Sequence, residues 1–327
     1  MTENSKNIAV VILNWNGKNW LQKFLPNVIR FSEEAEIYVI DNHSTDDSID
    51  FLKQNFPTVK IVINDKNYGF AGGYNEGLKK INAEYYCLLN SDVEVTENWI
   101  VPVLDLFKKD KSIAAIQPKI LSFDNKNYFE FAGAAGGLID NLGYPYCRGR
   151  VFDDLEEDQG QYNDETEIFW ASGCCFFIRS KDFWEQNGFD ERFFAHQEEI
   201  DLCWRLINSG KKIFYTGKSQ VYHVGGGTLN KQSAQKTFLN IRNNLSMMVK
   251  NLPFPQLIWV IFIRMVLDGV ASLYFAYKYG FSHLLAVAKG HFGFYSQLPG
   301  TLKLRQKHQK SKFYQTKWLI FKHFLSK

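Results

Sequence analysis

An apolar run, Tyr85–Leu89, ends abruptly in the polar triplet Asn90-Ser91-Asp92. Such a run predicts a buried strand, and in open α/β sheets ligands bind beyond the carboxyl ends of the strands. A carboxylate at this point suits a divalent cation, because Mg²⁺ usually takes only one or two protein carboxylates together with phosphate oxygens. Taken alone, the triplet also favours a simple turn. The segment predicts an α/β fold in which Asp92 faces a cleft and is a candidate metal ligand.

Three further segments within the first 95 residues carry a similar signal. Residues 10–17 (VVILNWNG) and 39–48 (VIDNHSTDDS) each predict a strand that ends in polar residues, among them Asn14 and Asp41. Residues 67–77 (NYGFAGGYNEG) predict a glycine-rich turn that leads into a helix. The four segments together place polar side chains where predicted strands end.

In their order along the chain, these segments resemble the family 2 glycosyltransferases over roughly residues 8–228. The resemblance implies the GT-A fold, a Rossmann-like mixed α/β sheet flanked by helices. It also implies an inverting, rhamnosyltransferase-like transfer from a nucleoside-diphosphate sugar, of UDP or dTDP type, to a saccharide hydroxyl. The catalytic domain would span residues 1–228, with a nucleotide-sugar-binding half at 1–95 and an acceptor-binding half at 96–228.

The resemblance assigns substrate-binding roles to residues of these motifs. Asp41 would hydrogen-bond the pyrimidine base of the donor. Six further candidates for donor binding are Asn14, Asn67, Gly69, Gly73, Asn75 and Asn90. Residues 169–179 (FWASGCCFFIR) predict a small-residue turn followed by a buried strand, and in the family this turn lies beneath the donor sugar and the acceptor. Trp170 and Gly173 are the candidates in that turn.

Residues 188–205 (GFDERFFAHQEEIDLCWR) carry the predicted catalytic base. Relatives usually show aromatic residues, then Glu-Asp-x-Asp, then an apolar helix, and the matching positions here include Glu198, Glu199 and Asp201. By this resemblance Glu199 is the base, although Glu in place of Asp adds one methylene. Glu198 is the alternative, and Asp201, a substrate-binding candidate, can instead pair with Arg205 one turn later. Carboxylates also favour the positive end of a helix whatever their function.

His223 lies in VYHVGGGT at a predicted strand end. A lone histidine there is often a hydrogen-bonded structural residue, but the glycines after it allow backbone to approach phosphate closely. In family members with a matching histidine, that residue completes the metal site opposite the aspartate. The resemblance thus implies Mn²⁺ or Mg²⁺ held by Asp92 and His223, and imidazole favours Mn²⁺. Arg242 would reach the diphosphate or the acceptor.

Charge is distributed unevenly along the chain. Residues 269–327 contain ten Lys or Arg and no Asp or Glu, whereas residues 1–268 hold 28 basic and 35 acidic groups. Such asymmetry indicates a polyanionic partner, either nucleic acid or an anionic membrane surface. Aromatic and aliphatic residues interleave with the basic ones, and a nucleic-acid recognition motif is lacking, so the pattern favours the membrane and predicts no nucleic-acid partner.

The region from 229 to 327 is predicted to be a helical, membrane-associating extension. Residues 257–263 (LIWVIFI) are strongly apolar, but Arg264 and Asp268 interrupt the run and can pair at i,i+4. Their pairing would leave an apolar side formed by Trp259, Ile263, Val266 and Val270. We predict helices that lie in the membrane interface. A helical subdomain packed on the core and a transmembrane hairpin are the alternatives.

The five cysteines form no CxxC pair, and the polar N-terminal residues lack the apolar core of a signal peptide. These features predict a cytoplasmic protein that associates peripherally with the inner face of the cell membrane. A lipid-linked saccharide of envelope polysaccharide synthesis is then the expected acceptor.

Two other functional classes stay open. One is a non-catalytic saccharide- or nucleotide-sugar-binding protein at a membrane, because Glu199 departs from the family pattern. The other is a nucleotidyltransferase, which would share the nucleotide-binding half and the metal carboxylate. Residues 14–20 (NWNGKNW), however, offer only Lys18 to bind a triphosphate.

Overall fold

The computed structural model describes residues 6–225 and 233–325. The first elements are β1 (Ile8–Asn14), α1 (Lys18–Arg30), β2 (Ala35–Asp41), α2 (Ser48–Asn55), β3 (Lys60–Ile63), α3 (Gly69–Leu78), β4 (Tyr85–Leu89), β5 (Val93–Val95), α4 (Val101–Lys109) and β6 (Ile113–Ser122). The next are β7 (Gly137–Ile139), β8 (Pro145–Cys147), β9 (Arg150–Val151), β10 (Asp154–Leu155), β11 (Glu165–Ile168), β12 (Cys175–Arg179) and α5 (Ser180–Glu185). A 3₁₀ helix (Glu191–Phe193) precedes α6 (Glu198–Asn208), β13 (Lys212–His223), α7 (Ala234–Asn251), α8 (Phe254–Tyr279), α9 (Phe281–Lys303) and α10 (Leu319–Leu325).

The main sheet has the strand order β11-β13-β6-β12-β4-β1-β2-β3, with β5 paired to β13. Strands β4, β1, β2 and β3 run parallel, whereas β12 pairs antiparallel with both β4 and β6. Asn14 lies opposite Asp41 in the register, so the ends of β1 and β2 meet at one edge. A second sheet has the order β10-β9-β8-β7. The predicted Rossmann-like mixed sheet flanked by helices is confirmed.

Side chains of β1 alternate between two apolar cores, as the period of a strand requires. Ala9 and Val11 face the core that includes Tyr74 of α3, whereas Val10 and Ile12 face the core that includes α1. Both faces of the sheet are therefore covered at β1.

Helix α7 packs directly on α6. Asp201 of α6 accepts hydrogen bonds from Lys250 Nζ (2.7 Å) and from Asn251 Nδ2 (3.0 Å), and both donors are buried. The predicted domain boundary between residues 228 and 229 lies outside the described residues and stays a prediction. In α8, Arg264 and Asp268 pair at 3.6 Å, as their spacing predicts.

Candidate active site

The carboxyl ends of β1 and β2 form a buried polar network. Asn14 Nδ2 donates to Asp41 Oδ1 (3.0 Å) and to Ser44 Oγ (3.1 Å), and the backbone N–H of Ser44 donates to Asp41 Oδ2 (2.9 Å). Asn14 and Asp41 are almost completely buried. Both oxygens of Asp41 already accept hydrogen bonds, so its contact with a nucleotide base stays a prediction.

Asn42 organises the glycine-rich turn at the start of α3. Its Nδ2 donates to Asn67 Oδ1 and to the Gly69 carbonyl, each at 2.9 Å. Its Oδ1 accepts from Asn64 Nδ2 (3.1 Å), which also donates to the Gly73 carbonyl. A Cβ on Gly73 would lie 2.9 Å from Asn42 Nδ2, so the turn requires glycine there. Sequence reasoning missed both Asn42 and Asn64. Each of these residues directly follows the last residue of a strand, β2 for Asn42 and β3 for Asn64.

The same turn contacts the segment that precedes α6. Phe70 N donates to the Phe194 carbonyl (2.8 Å), and a Cβ on Gly69 would lie 2.5 Å from the Phe194 ring. Asn75 donates to the Phe189 carbonyl (2.9 Å) and accepts from the Phe189 N–H (3.0 Å). The Asn75 amide therefore positions the backbone between the predicted donor and acceptor sides, and its contact with substrate stays a prediction.

His223 lies between two buried carboxylates. Its Nε2 is 3.2 Å from Asp92 Oδ1, and its Nδ1 is 3.2 Å from Glu130 Oε2. Burial alone lowers the pKa of His223, but the hydrogen bonds to Asp92 and Glu130 outweigh burial and raise that pKa to about 10. Burial raises the pKa of Asp92, but the hydrogen bond from His223 and its charge bring that pKa below its usual range. Asn90 Nδ2 lies 3.4 Å from His223 Nε2.

This arrangement fits a divalent cation. Two adjacent ligands of a six-coordinate ion, each at 2.0–2.1 Å, are about 3 Å apart, close to the observed separation between Asp92 Oδ1 and His223 Nε2. A carboxylate oxygen and an imidazole nitrogen are suitable donors for Mn²⁺. Across residues 6–225 and 233–325, no three His, Cys, Asp or Glu side chains group as a metal site. Oxygen atoms of the nucleotide-sugar donor, together with water, would have to complete the coordination of the cation.

Glu130 is a functional candidate that sequence reasoning missed. It is 4% exposed, and the backbone N–H of Ala132 donates to its Oε2 (2.5 Å). Its position in FDNKNYFEFAG resembles an ordinary loop. Only the pairing of β13 with β6 brings His223 back beside this part of the chain.

In the turn before β12, Trp170 packs as a structural residue, whereas Gly173 faces the candidate site. Trp170 is buried, and its Nε1 donates to the Leu138 carbonyl (2.9 Å), so the indole packs on β7. A Cβ on Gly173 would lie 3.4 Å from the Phe70 ring and 3.9 Å from the Glu199 carboxyl carbon. Gly173 therefore lies where three parts of the chain meet: the turn before β12, the glycine-rich donor-side turn at the start of α3, and Glu199.

The two candidate bases differ in exposure. Glu198 is 4% exposed, whereas Glu199 is only partly buried. Burial raises the pKa of Glu199 to about 7, and burial together with the Glu199 charge raises the pKa of Glu198 well above its usual range. Within the described part of the chain, Oε2 of Glu199 has no hydrogen-bond partner. Oε2 of Glu198 also lacks a partner among these residues, so it is the partial exposure of Glu199 that favours it over Glu198.

The backbone before α6 is strained. Phe194, His196 and Gln197 have φ values of 65°, 70° and 73°, in the left-handed region that non-glycine residues seldom adopt. Such residues persist only where surrounding contacts hold them, and they occur often in functional sites. Glu198 and Glu199 follow this segment directly.

Asn243 of α7 holds the strained segment. Its Nδ2 faces the carbonyl oxygens of Phe193 (3.0 Å), Ala195 (3.0 Å) and His196 (2.8 Å). Asn243 is completely buried. Sequence reasoning missed Asn243, because its three carbonyl partners lie about fifty residues earlier in the chain.

Arg242 and Asp201 also serve the backbone around the site. Arg242 Nη2 donates to the carbonyls of Arg192 (3.0 Å) and Phe193 (3.1 Å). Its predicted contact with the diphosphate or the acceptor stays a prediction. Asp201 is completely buried and accepts from Arg205 Nε (2.8 Å), as predicted, and from α7, so in this structure it joins two helices.

Proteins with known activities are similar to this chain in sequence. The L-rhamnosyltransferase of Mycobacterium tuberculosis named for N-acetylglucosaminyl-diphospho-decaprenol is 24% identical over 232 residues, which are 66% of this chain and 75% of that protein. The rhamnosyltransferase WbbL of Escherichia coli is 23% identical over 66% of this chain and 83% of its own length.

Solved structures share the fold. GalNAc-T7 with UDP, GalNAc and Mn²⁺ superposes with a TM-score of 0.60 at 20% identity, over 77% of this chain. The present chain spans about half of that protein (49%). A mannosyltransferase of Pyrobaculum calidifontis, in complex with GDP-Man and Mn²⁺, gives a TM-score of 0.54 at 10% identity over 90% of this chain and 76% of its own.

The sequence model described as "Glycosyl transferase family 2" matches residues 9–186, more than half of the chain. This range contains the strand-end motifs and the Gly173 turn. The chain therefore belongs to glycosyl transferase family 2.

Proposed function

We propose that this protein is an inverting glycosyltransferase that moves a sugar, rhamnosyl or another hexosyl group, from a UDP- or dTDP-sugar to a saccharide hydroxyl. The observation that carries the proposal is Glu199, a carboxylate with a free oxygen that lies against the Gly173 turn. The donor-side turn contacts the same place through Phe70. Base and donor turn thus lie close enough to act on one sugar.

In the proposed reaction Glu199 accepts the proton of the acceptor hydroxyl as its oxygen attacks the anomeric carbon. The bond from that carbon to the diphosphate oxygen breaks, and the nucleoside diphosphate leaves with the electron pair. Attack on the face opposite the leaving group inverts the anomeric configuration. A pKa of about 7 makes Glu199 a stronger base than an ordinary glutamate and still leaves much of it ionised at neutral pH.

Asp92 and His223 would hold the divalent cation, with Glu130 behind the imidazole. When bound, such an ion would neutralise negative charge on the diphosphate leaving group. The 3.2 Å separation of the two ligand atoms supports this assignment. Mn²⁺ in the related GalNAc-T7 and mannosyltransferase structures supports it too. Mn²⁺ is the better candidate because imidazole ligates it more readily than Mg²⁺.

The proposed acceptor is a lipid-linked saccharide of envelope polysaccharide synthesis. The relative named for a diphospho-decaprenol substrate supports this class of acceptor. The basic extension supports an anionic membrane surface as partner, and a peripheral position at the cytoplasmic face of the cell membrane.

The test is a screen of UDP-, dTDP- and GDP-sugars with Mn²⁺ or Mg²⁺, read as nucleoside diphosphate released. We expect release from one donor, its loss in Asp92→Ala, and wild-type release in the surface control Asp105→Ala, whose side chain is 66% exposed. Turnover that survives Glu198→Gln and Glu199→Gln together would eliminate the mechanism. Donor binding without release, even with lipid-linked acceptor, would favour the non-catalytic binding protein. Pyrophosphate release from a nucleoside triphosphate and a sugar phosphate would favour the nucleotidyltransferase.

A further inference from the structure

Helix α8 has the reverse of the polarity expected for a helix on a water-soluble body. Its exposed stripe includes Ile258, Trp259, Phe262, Val266, Val270 and Leu273, each more than half exposed. Within α8, every residue of which the structure describes, Lys278 near the end is the one exposed charged side chain. Surface helices normally turn their polar face outward. The outward face of α8 is apolar for most of the helix.

The charged residues of α8 are sealed inside. Arg264 is 3% exposed, and its Nη1 donates to the Leu142 carbonyl (2.9 Å) and to Asn244 Oδ1 (2.7 Å). Its guanidinium carbon lies 3.6 Å from the centre of the Tyr144 ring. Asp268, also 3% exposed, pairs with Arg264. The charges thus fix α8 to the catalytic body.

Helix α9 extends the apolar surface. Phe281, Leu285 and Phe292 are exposed, and Tyr295 donates its hydroxyl to Met265 Sδ of α8 at 3.2 Å. The exposed stripe of α8 and these residues of α9 together form the α8–α9 face. A cluster of exposed apolar side chains such as the α8–α9 face indicates an interaction site.

Charge selects the occupant of the α8–α9 face. The chain from 269 to 327 contains ten basic and no acidic residues. A second copy of the chain, related by a two-fold axis, would bring two basic segments together. An anionic lipid surface instead complements the charge and takes up the apolar side chains.

Contacts along α8 determine how it meets the lipid. By length and composition alone, α8 is able to cross a membrane. Yet Gln256 near its start contacts the Ser311 carbonyl (3.4 Å), Arg264 in its middle contacts the body, and Lys278 near its end lies 3.5 Å from Asp153. A spanning helix would have to break these contacts along its whole length and expose Arg264 to lipid. A helix attached at both ends and in the middle lies along the body.

We propose that the α8–α9 face is a monotopic lipid-binding surface, which enters one leaflet of an anionic membrane without crossing it. The inference rests on the proposed function for its choice of a lipid-linked acceptor, and it adds the surface and the depth of insertion. Arg192, just before the strained segment, donates to Thr301 of α9 (3.2 Å). The acceptor side of the site is then separated from lipid by about one helix diameter, ~10–12 Å.

The experiment is flotation of the full chain with phosphatidylglycerol vesicles and with phosphatidylcholine vesicles. We expect binding to phosphatidylglycerol at least ~10-fold stronger than to phosphatidylcholine, extraction by alkaline carbonate, and loss of flotation in Phe262→Glu/Val266→Glu. Ile63→Glu is the matched control, because Ile63 is 50% exposed and lies in β3, at the end of the strand order of the main sheet. Bromine-labelled acyl chains should quench tryptophan fluorescence, and Trp259→Phe should remove most of that quenching.

Three results would overturn the proposal: flotation unaffected by Phe262→Glu/Val266→Glu, retention in the membrane after alkaline carbonate, or a dimer that this double variant converts to monomers while vesicles do not bind the wild type. Donor hydrolysis by the double variant, expected at the wild-type rate, reports that the catalytic part is folded. Flotation without donor hydrolysis by the wild type would remove the proposed function and leave the lipid-binding surface. Donor hydrolysis by the wild type without flotation would remove the lipid-binding surface and leave the proposed function.

Discussion

At the scale of single residues, the site depends on side chains that act through their neighbours. Glu130 is the clearest case, because its Oε2 lies 3.2 Å from His223 Nδ1 while the other ring nitrogen faces Asp92. A carboxylate behind a metal-binding imidazole fixes the orientation of the ring and its tautomer. We therefore expect Glu130 to act as a positioning residue for His223.

Glu130→Gln should weaken Mn²⁺ binding by about 10- to 100-fold, because the amide no longer holds the imidazole as a carboxylate does. Titration of free Mn²⁺ by electron paramagnetic resonance measures this without any turnover. Glu165→Gln, at a surface ion pair with Lys218, is the control and should bind as the wild type does. Unchanged Mn²⁺ affinity in Glu130→Gln would contradict the role.

Glu199→Gln should lower the transfer rate by roughly 10²–10⁴-fold, the usual effect of removing a general base. In the wild type, the rate at saturating substrates should rise with pH through about 7, because the raised pKa of Glu199 keeps part of it protonated below that value. A wild-type rate that is flat between pH 5.5 and 8.5 would argue against Glu199 as the base.

The same raised pKa predicts an effect on stability. A carboxyl whose pKa is higher in the folded state than in the unfolded state stabilises the fold at low pH and loses that contribution as the pH rises through the folded value. Glu199→Gln should therefore raise Tm relative to the wild type at pH 8 and leave it nearly unchanged at pH 4. Thermal unfolding at the two pH values measures the difference.

At the scale of elements, helix α7 holds the strained segment that precedes the candidate base Glu199. One amide nitrogen of Asn243 serves three backbone carbonyls, at 2.8–3.0 Å. Loss of this amide would leave buried carbonyls without a donor and release residues that adopt left-handed φ values. We therefore expect helix α7 to influence catalysis by positioning the segment that precedes Glu199.

Asn243→Ala should cost about 1–3 kcal/mol of unfolding free energy and lower kcat for transfer while the Kd for the donor stays near the wild-type value. Ser246→Ala is the matched control on the same helix, because Ser246 is buried and its Oγ lacks a hydrogen-bond partner among the described residues. Urea denaturation and calorimetry with the donor separate the two effects. Equal losses in kcat and in donor binding would indicate general damage rather than a displaced base.

At the scale of the whole molecule, a buried ion network connects α6 and the segment before it with α7. Lys250 Nζ lies 2.9 Å from Asp190 Oδ2 and 2.7 Å from Asp201 Oδ2. Burial raises the pKa of Asp190, but the Arg192 and Lys250 cations outweigh burial and hold that pKa well below its usual range. The network joins α6, α7 and the segment before α6 through buried ion pairs.

Lys250→Met should destabilise the chain by about 3–5 kcal/mol at neutral pH, because two buried carboxylates lose their shared cation. The depressed pKa of Asp190 stabilises the fold above the unfolded value and loses that contribution as the pH falls, so the difference should shrink below about pH 4. Lys108→Met, at an exposed pair with Asp105, should change stability by less than ~1 kcal/mol. Chemical denaturation at pH 7 and at a pH well below 4 tests both.

The sequence by itself determined those features that depend on neighbours along the chain. Polar residues at strand ends, the helix that follows the glycine-rich turn, and the i,i+4 pairs Asp201–Arg205 and Arg264–Asp268 all follow from the periods of strands and helices. The resemblance of the ordered motifs to one family added the sheet type, which the observed strand order confirms.

Only the tertiary structure decided which distant groups meet. Pairing of β13 with β6 brings His223 to Glu130, and packing of α7 brings Asn243 to the segment before Glu199. The tertiary structure also decided the direction in which the apolar stripe of α8 points. From the sequence alone, an apolar helix face ordinarily predicts burial in the core. Here Arg264 donates buried hydrogen bonds to the Leu142 carbonyl and to Asn244 of α7, and these bonds turn the apolar stripe outward.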